Sequence, residues 1–383
     1  MYNSSYSVVS IPLNSLNVKQ YKQFFLTLKC GILNLATKCE GYMRINKNKE
    51  IVLFLKRCEK NLTNDAKNDF LFKKVTKENE KQIQQLMKKA AFAEFLSDEK
   101  SWPSLFLSTD EYLTTPYYQN VSLHDIKDDN VQFKRQTIKS NVLFNVDEIQ
   151  PDPLKELNDW MKLRALDKPY EANVLMIDNQ LWMLDIYSEA MTINPKAQKA
   201  HGKVLTFGLG IGYFVYMALL NKKVEKVTVI ENNKKVISIF NEYLRPQFNR
   251  SEDIEIIHAD ALDYFNKENI DQFDYVFVDV YQSSDDGLEM MEKMLMNYNP
   301  INVEVDFWIE QSVLEILTGL LFYYFKLLSN KQAIYHDDDY YHHLLLKIDK
   351  YFSAIDSEVN DVDQLKEWMY SNEVKRKILS IAN

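Results

Sequence analysis

The run KVLTFGLGIGYFVYMALL, residues 203–220, decides how this 383-residue chain is read. Val204 to Phe207 is apolar and strand-like. Gly208, Gly210 and Gly212 follow in G-x-G-x-G spacing, and an apolar helical run begins at once. Glycine is scarce elsewhere: the sequence holds 8, and Gly202, Gly208, Gly210 and Gly212 fall within this short stretch. Such a turn lets the backbone approach a ligand closely and aims the next helix N-terminus at it. Alone it is a weak signal, so its meaning depends on the flanks.

Downstream, apolar strands alternate with helices, the pattern of a parallel sheet. Val227 to Ile230 ends in Glu231, 19 residues beyond Gly212, with Asn232 next. A carboxylate there can accept hydrogen bonds from both hydroxyls of a ribose. Ile254 to Ile257 leads into His258-Ala259-Asp260-Ala261, where an acid can accept from an adenine amino group. Tyr275 to Val278 ends in Asp279. Successive strands thus carry carboxylates at their C-terminal ends, where open α/β sheets bind ligands. The competing reading is a doubly wound sheet with acidic loops and no cofactor.

Glycine spacing bears on the choice of cofactor. A dinucleotide fingerprint needs G-x-G-x-x-G/A, and the sixth position here is Tyr213. The early third glycine suits a ligand whose amino-acid tail, rather than a pyrophosphate, lies over the loop. Asp260 points the same way, so S-adenosylmethionine is the expected cofactor. The expected binding set is Gly208, Gly210, Gly212, Glu231, Asn232, Asp260 and Ala261. Methyl transfer from a sulfonium is an in-line displacement that needs alignment, and a base only if the acceptor must lose a proton early. Asp279, with Tyr281 beside it, is the candidate for orienting or deprotonating that acceptor. Failing that role, Asp279 caps the next helix or touches the cofactor.

Upstream, Asp152-Pro153 reads as a helix start, with Leu154, Leu157, Met161 and Ala165 on one side. VLMI, a turn at Asp178-Asn179 and QLWML form an expected hairpin. Asn194-Pro195 starts a short helix that Gly202 ends. The segment Trp182–Met191 reads as a lid with Tyr187, Ser188 and Glu189 toward the pocket, or as a helix start capped by Ser188. Farther out, a strand is expected at 5–12, a helix at 18–37, a strand at Ile51–Leu55 and a helix at Glu78–Leu96. Residues 101–151 read as irregular, punctuated by Pro103 and Pro116. Between 46 and 90, 12 Lys or Arg face 6 Asp or Glu. That surface offers a nucleic-acid contact or is a solvated face; the net charge of −9 favours the latter for the chain as a whole.

Toward the C-terminus, Val313 to Leu328 reads as a long apolar helix. His336-Asp-Asp-Asp-Tyr-Tyr-His-His343 holds metal-ligand chemistry but reads as an acidic surface loop, and no metal is expected. Residues 363–380 have helical spacing and pack over the sheet or mediate self-association, as in a homodimer. The expected organisation is an N-terminal α+β domain (1–150), a Rossmann-like doubly wound, mostly parallel α/β domain (151–330) and a helical C-terminal extension (331–383). Cys30, Cys39 and Cys58 are odd in number without a CxxC pair, which favours a reducing compartment. The start MYNSSYSVVS lacks the charge and apolar pattern of a secretory signal. Ile316 to Phe325, the longest apolar stretch, spans about ten residues where a membrane helix needs about 20. A cytoplasmic location without membrane contact is therefore expected.

KVLTFGLGIGYF (203–214), VTVIENN (227–233), IEIIHADALDYF (254–265) and FDYVFVDVYQ (273–282) resemble the successive motifs of class I S-adenosylmethionine-dependent methyltransferases. The resemblance is to their spermidine-synthase-like branch and covers roughly 173–315. EYLTTPYY (111–118) and FWIEQSVLEIL (307–317) are similar to segments of a poorly characterised bacterial group of such proteins. The resemblance implies that Gly208, Gly210 and Gly212 form the cofactor loop, Glu231 holds the ribose, Asp260 and Ala261 contact adenine, and Asp279 faces the reaction centre. It also implies a small-molecule or protein methyl acceptor. The chain departs from the branch in having Thr206 two residues before the first glycine and GLGIGY where polyamine synthases have GGGDGG. Gln282 stands where those enzymes place the second acid of an Asp-x-x-Asp pair, which weakens an aminopropyltransferase reading. The same motifs would also serve an RNA methyltransferase or a non-catalytic S-adenosylmethionine-binding protein.

Overall fold

A computed structural model describes residues 43–64, 66–122, 127–128, 130–332 and 339–382. The strand expected at 5–12, the helix at 18–37, and Cys30 and Cys39 lie outside these residues. The first helix, α1 (Lys49–Leu62), replaces the strand expected at Ile51–Leu55. Ile51, Phe54, Leu55 and Cys58 are its buried residues, an i, i+3, i+4, i+7 stripe that a run of β-favouring residues conceals. Asn48 caps it, its Oδ1 accepting from Ile51 N at 2.9 Å. α2 (Glu80–Lys89) matches the helix expected from 78 but stops early, and Ala93–Phe95 continues as a separate 3-10 turn. α3 (Pro116–Asn120) forms within the segment expected to be irregular, with its proline in the first turn.

β1 (Val131–Ile138) follows, also within that segment. No helix forms from Pro153. Asp152 does cap a turn, accepting from Leu154 N at 3.2 Å and Glu156 N at 2.8 Å. Lys155 and Leu157 then take φ of 53° and 59°, left-handed values that end it. Ala165, expected on that helix, instead lies in β2 (Leu163–Leu166), buried along its length. β3 (Tyr170–Ile177) and β4 (Gln180–Leu184) form the expected hairpin, and β3 also pairs antiparallel with β1. Asp178 and Asn179 both have positive φ, 52° and 62°, as the two-residue turn demands. Pairing shifts between Leu175 and Met176: Leu175 faces Met183 and Met176 faces Leu181, so Trp182 is the extra residue of a bulge.

α4 (Tyr187–Lys199) begins well before the start expected at Asn194, and Pro195 lies inside it. The central strands come as expected: β5 (Gly202–Phe207), β6 (Val224–Glu231), β7 (Ile254–His258) and β8 (Tyr275–Val278), joined by β9 (Glu304–Phe307). Helix α5 (Tyr213–Leu220) follows the glycine loop, α6 (Ala261–Tyr264) follows β7, and α7 (Ser284–Asn297) follows β8. The sheet order is β7-β6-β5-β8-β9, every pair parallel. Its central strands β5, β6 and β8 carry long buried runs, as a sheet covered on both faces requires, while the edge strand β7 is buried only at Ile254. The order reverses between β5 and β8, so the crevice beyond their C-terminal ends lies between the glycine loop and Asp279.

Four further helices follow: α8 (Glu315–Ser329), α9 (Tyr340–Ser353), and a helical pair α10 (Val362–Tyr370) and α11 (Asn372–Leu379) in place of one run over 363–380. Ser371 separates the pair and caps α11 through Val374 N at 3.2 Å. Residues 310–329 are long and apolar enough to cross a membrane, yet most of them are buried inside the protein. Phe325 stacks on Trp368 at 5.9 Å between ring centres and meets Phe352 at 5.1 Å. The buried face of α1 joins this same cluster, and Arg44-Ile45 pairs in parallel with Glu358-Val359. Of the segment His336–His343, residues 336–338 lie outside the description. Asp339 caps α9, accepting from Tyr341 N and His342 N, and 340–343 form its first turn. No group of three or more His, Cys, Asp or Glu suited to a metal occurs among the described residues.

Candidate functional site

The glycine loop is fixed by contacts that each glycine permits. Gly208 has φ 91°, and a Cβ there would collide with the carbonyl oxygen of Asp279, so β5 and β8 approach closely at their tips. Gly210 has φ 51° and faces Met183 Sδ, which occupies the space a Cβ would take. Gly212 caps α5 with φ 74° against the rings of Phe240 and Phe248. From outside, Tyr117 of α3 donates its hydroxyl to Ile211 O at 2.7 Å, and Tyr213 donates to Asn194 Oδ1 at 3.0 Å. This gives the TTPYY segment a role: it buttresses the loop.

Beyond the loop lies a cavity of about 370 Å³, within the size range of small-molecule sites. Gly208, Gly210, Glu231, Asn232, Asp260, Ala261, Asp279 and Tyr281 all line it. Gly212 is not among the lining residues; its role is the turn and the packing of α5. Glu231 is buried, and its Oε2 accepts from Leu209 N at 3.0 Å while Oε1 accepts from Asn233 N at 2.8 Å. The carboxylate thereby ties the β6 tip to the loop, and its remaining lone pairs stay open to the cavity side. Asp260 is exposed at the rim and caps α6 through Leu262 N at 2.8 Å. The Asn232 carbonyl lies 3.0 Å from His258 Nε2.

At the other end, Asp279 is fixed by its backbone, which donates to Phe207 O at 3.0 Å. It does not cap the next helix. That task falls to Ser283 and Asp286, whose oxygens take the amides of Asp285, Gln282 and Ser283. Tyr281 is buried and its hydroxyl donates to the carbonyl of Trp308. Burial pushes that hydroxyl well above the ordinary tyrosine range, so it stays protonated.

Glu189 also lines the cavity, from the first turn of α4. Neither its carboxylate nor that of Asp279 has a hydrogen-bond or ion-pair partner among the described residues. Both side chains are half-buried and line the cavity. Desolvation pushes Asp279 up to about 7. It pushes Glu189 up to about 8, with the Asp279 charge adding to the rise. No Lys, Arg or His lines the cavity among the described residues, whereas Glu189, Glu231, Asp260, Asp279 and Asp286 do. Thr206 Oγ1, also at the wall, is buried and has no partner among the described residues.

Of the lid segment, Trp182, Met183, Leu184, Ile186 and Glu189 reach the cavity, while Ser188 is buried inside α4, which Ile186 begins. The sequence carries no separate signal for Met183 or Trp308 as wall residues. Glu189 had one: a carboxylate on a helix whose neighbours Ala190, Ile193 and Ala197 are apolar.

No family model and no curated protein matches the chain. Among solved structures it is similar to spermidine synthase from Thermotoga maritima, at 16% identity and a TM-score of 0.28 over 39% of this chain and 59% of that one. It is also similar to a protein assigned as a SAM-dependent methyltransferase from Streptococcus mutans, at 14% identity and a TM-score of 0.28 over 40% and 45%. A third, assigned as a methyltransferase from Thermoplasma acidophilum, shares 18% identity with a TM-score of 0.23 over 31% and 50%. The chain thus spans about half the length of these proteins.

Proposed function

We propose that this protein is an S-adenosylmethionine-dependent methyltransferase whose acceptor is a cationic amine. The observation that carries the reading is the pair of carboxylates, Glu189 and Asp279, that have no partner among the described residues and line a cavity to which those residues bring no basic group. The residues present fit the cofactor. Glu231 has lone pairs left for ribose hydroxyls, Asp260 and Ala261 stand where a purine edge would lie, and the acidic wall suits a sulfonium and an aminium. Thr206 Oγ1, left without a protein partner, offers one more polar contact. Bound there, the cofactor would supply an electrophilic carbon on a positively charged sulfur.

The protein's own part is alignment and proton transfer. An ammonium entering between Glu189 and Asp279 gives its proton to whichever carboxylate is ionised and presents a nitrogen lone pair toward the glycine loop. Raised carboxyl affinities for protons, near neutrality, suit that exchange. Tyr281, its hydroxyl held by the Trp308 carbonyl, positions the wall rather than moving a proton.

A second reading, aminopropyl transfer, is favoured by one feature. The second acid that the sequence lacks at Gln282 is supplied in space by Glu189. Contact with RNA through 46–90 has less support, because Lys67 is buried on Asn158 and Arg57 pairs with Glu156. Calorimetric titration with S-adenosylmethionine, its decarboxylated form and NAD tests the cofactor, and turnover with a panel of amines tests the acceptor. Micromolar binding of an adenosyl sulfonium with none of NAD is expected; binding of neither sulfonium overturns the reading.

A further inference from the structure

A strained residue adjoins the cavity wall. Ile309, next to the lining residue Trp308, has φ 42° and ψ 39°. Sterics disfavour these left-handed values, most of all for a β-branched side chain, and Ile309 is the only such residue among the described ones with positive φ. Strain of this kind persists only where the surrounding contacts over-determine it.

Those contacts come largely from the C-terminal helix α11. Arg376 grips Glu310 with two bonds, Nε to Oε1 at 2.7 Å and Nη2 to Oε2 at 2.6 Å. Nη2 also donates to Val305 O at 2.8 Å, and the guanidinium lies 5.3 Å from the centre of the Phe307 ring. One side chain thus holds residues on both sides of Trp308-Ile309. Farther along, Gln311 N donates to Glu148 Oε2 at 2.9 Å and Ile149 N to Ser312 Oγ at 2.8 Å.

The turn fixes Trp308, which touches both halves of the reacting end. Its backbone amide donates to Val278 O at 2.9 Å, the residue before Asp279, and its carbonyl accepts from the Tyr281 hydroxyl. Its indole Nε1 donates to Thr192 Oγ1 at 2.9 Å, about one turn along α4 from Glu189. Trp308 therefore ties the strand that leads into Asp279 to the helix that carries Glu189.

We propose that Arg376 is a positioning residue for the reaction: its fork holds Ile309 in the left-handed turn, fixes Trp308 and so sets Glu189 against Asp279. This rests on the function proposed above and deepens it, giving the C-terminal helix pair a part in arranging the site.

The test uses the full chain as wild type, Arg376→Gln and Arg376→Lys, with Ile309→Gly added to Arg376→Gln. The emission that disappears on Trp308→Phe isolates that ring, and acrylamide quenching reads its exposure. In Arg376→Gln the quenching of that signal should rise by about twofold as the turn opens locally. Misplaced carboxylates should lower kcat with an amine acceptor by about tenfold. The dissociation constant of S-adenosylmethionine should stay within about twofold, because its end of the crevice is held separately. Lysine supplies the charge without the fork, so Arg376→Lys should lose less than Arg376→Gln but still fall below wild type. Glycine takes the left-handed turn unaided, so adding Ile309→Gly should restore kcat by about threefold; a merely structural ion pair would make the two losses add. Further loss in the double variant, or unchanged quenching in Arg376→Gln, overturns the assignment of Arg376 alone. If the wild type turns over no amine, the proposed function falls and takes this role with it, while the quenching still shows whether Arg376 clamps the turn.

Discussion

Glu231 and Asp279 follow the two strands that flank β5, so they face the same crevice from either side, yet their circumstances are opposite. Glu231 receives two backbone amides and serves as a strut between the β6 tip and the glycine loop. Asp279, with Glu189 across from it, receives nothing among the described residues. A carboxylate that the backbone satisfies is fixed in place, which suits binding. Carboxylates that are poorly solvated and unpaired hold protons near neutrality, which suits exchange. On the proposed function, one end of the crevice would hold the cofactor and the other would exchange the proton.

The most damaging way to probe that contrast is Asp279→Asn. Turnover with an amine acceptor should fall by about a hundredfold or more, the usual worth of a positioned acid–base group, while cofactor affinity by calorimetry stays within about threefold. Equal loss of both would show that the two ends are not separate. Glu231→Ala should do the reverse. It leaves Leu209 N and Asn233 N without their acceptor and removes the ribose contact, so affinity should drop about a hundredfold. Retained affinity would remove Glu231 from the binding end.

Acidity sharpens the comparison further. Asp279 and Glu189 hold protons in the folded protein that the unfolded chain releases above its ordinary carboxyl range. The folded state therefore binds more protons between about pH 4 and pH 8, and stability falls as pH rises through that window. Glu189→Gln should flatten this slope in thermal melts followed from pH 5 to pH 8.5, and an unchanged slope would contradict the raised affinities. Amine binding should strengthen over the same interval as the carboxylates ionise, with proton release visible as buffer-dependent heat.

Two smaller effects separate ligand contacts from scaffolding. Gly212→Ala places a Cβ at φ 74° against Phe240 and Phe248. The left-handed backbone alone costs about 1–2 kcal/mol, so melting temperature should fall while the folded fraction keeps its cofactor affinity. Thr206→Val removes a buried hydroxyl without a protein partner and should change stability by less than about 1 kcal/mol. A several-fold loss of cofactor affinity in that variant would mark the hydroxyl as a ligand contact.

The binding end was legible in the sequence because its parts are local. Each strand is a mostly apolar run, and the glycine or acid that serves the site lies within three residues of its end. The reacting end was legible only in part. Asp279 follows its strand directly, and Glu189 reads toward the pocket with the lid segment, but that the two carboxylates share one cavity depends on how α4 packs, which no spacing reveals. Met183 owes its place to an extra residue in β4, and a bulge has no reliable local signature. Elsewhere, propensity misled where tertiary partners decide. Ile51 to Leu55 favours a strand by composition, yet its stripe packs as a helix with residues from the far end of the chain. Asp152-Pro153 is a sound helix start that Asp159 and Tyr370 divert, by accepting from Asp152 N and Leu157 N.

The pairing of Arg44-Ile45 with Glu358-Val359 has a further consequence, on the ribosome. Asn46 and Asn360, bonded beside that pair, are separated by 314 positions. At roughly 5–20 residues per second, synthesis of the intervening chain takes on the order of 15–60 s. The helices that α1 packs on, α8 and α10, are made only near the end of that interval, while the parallel sheet can already close behind them. The apolar stripe of α1 therefore waits through most of synthesis for the surface that covers it.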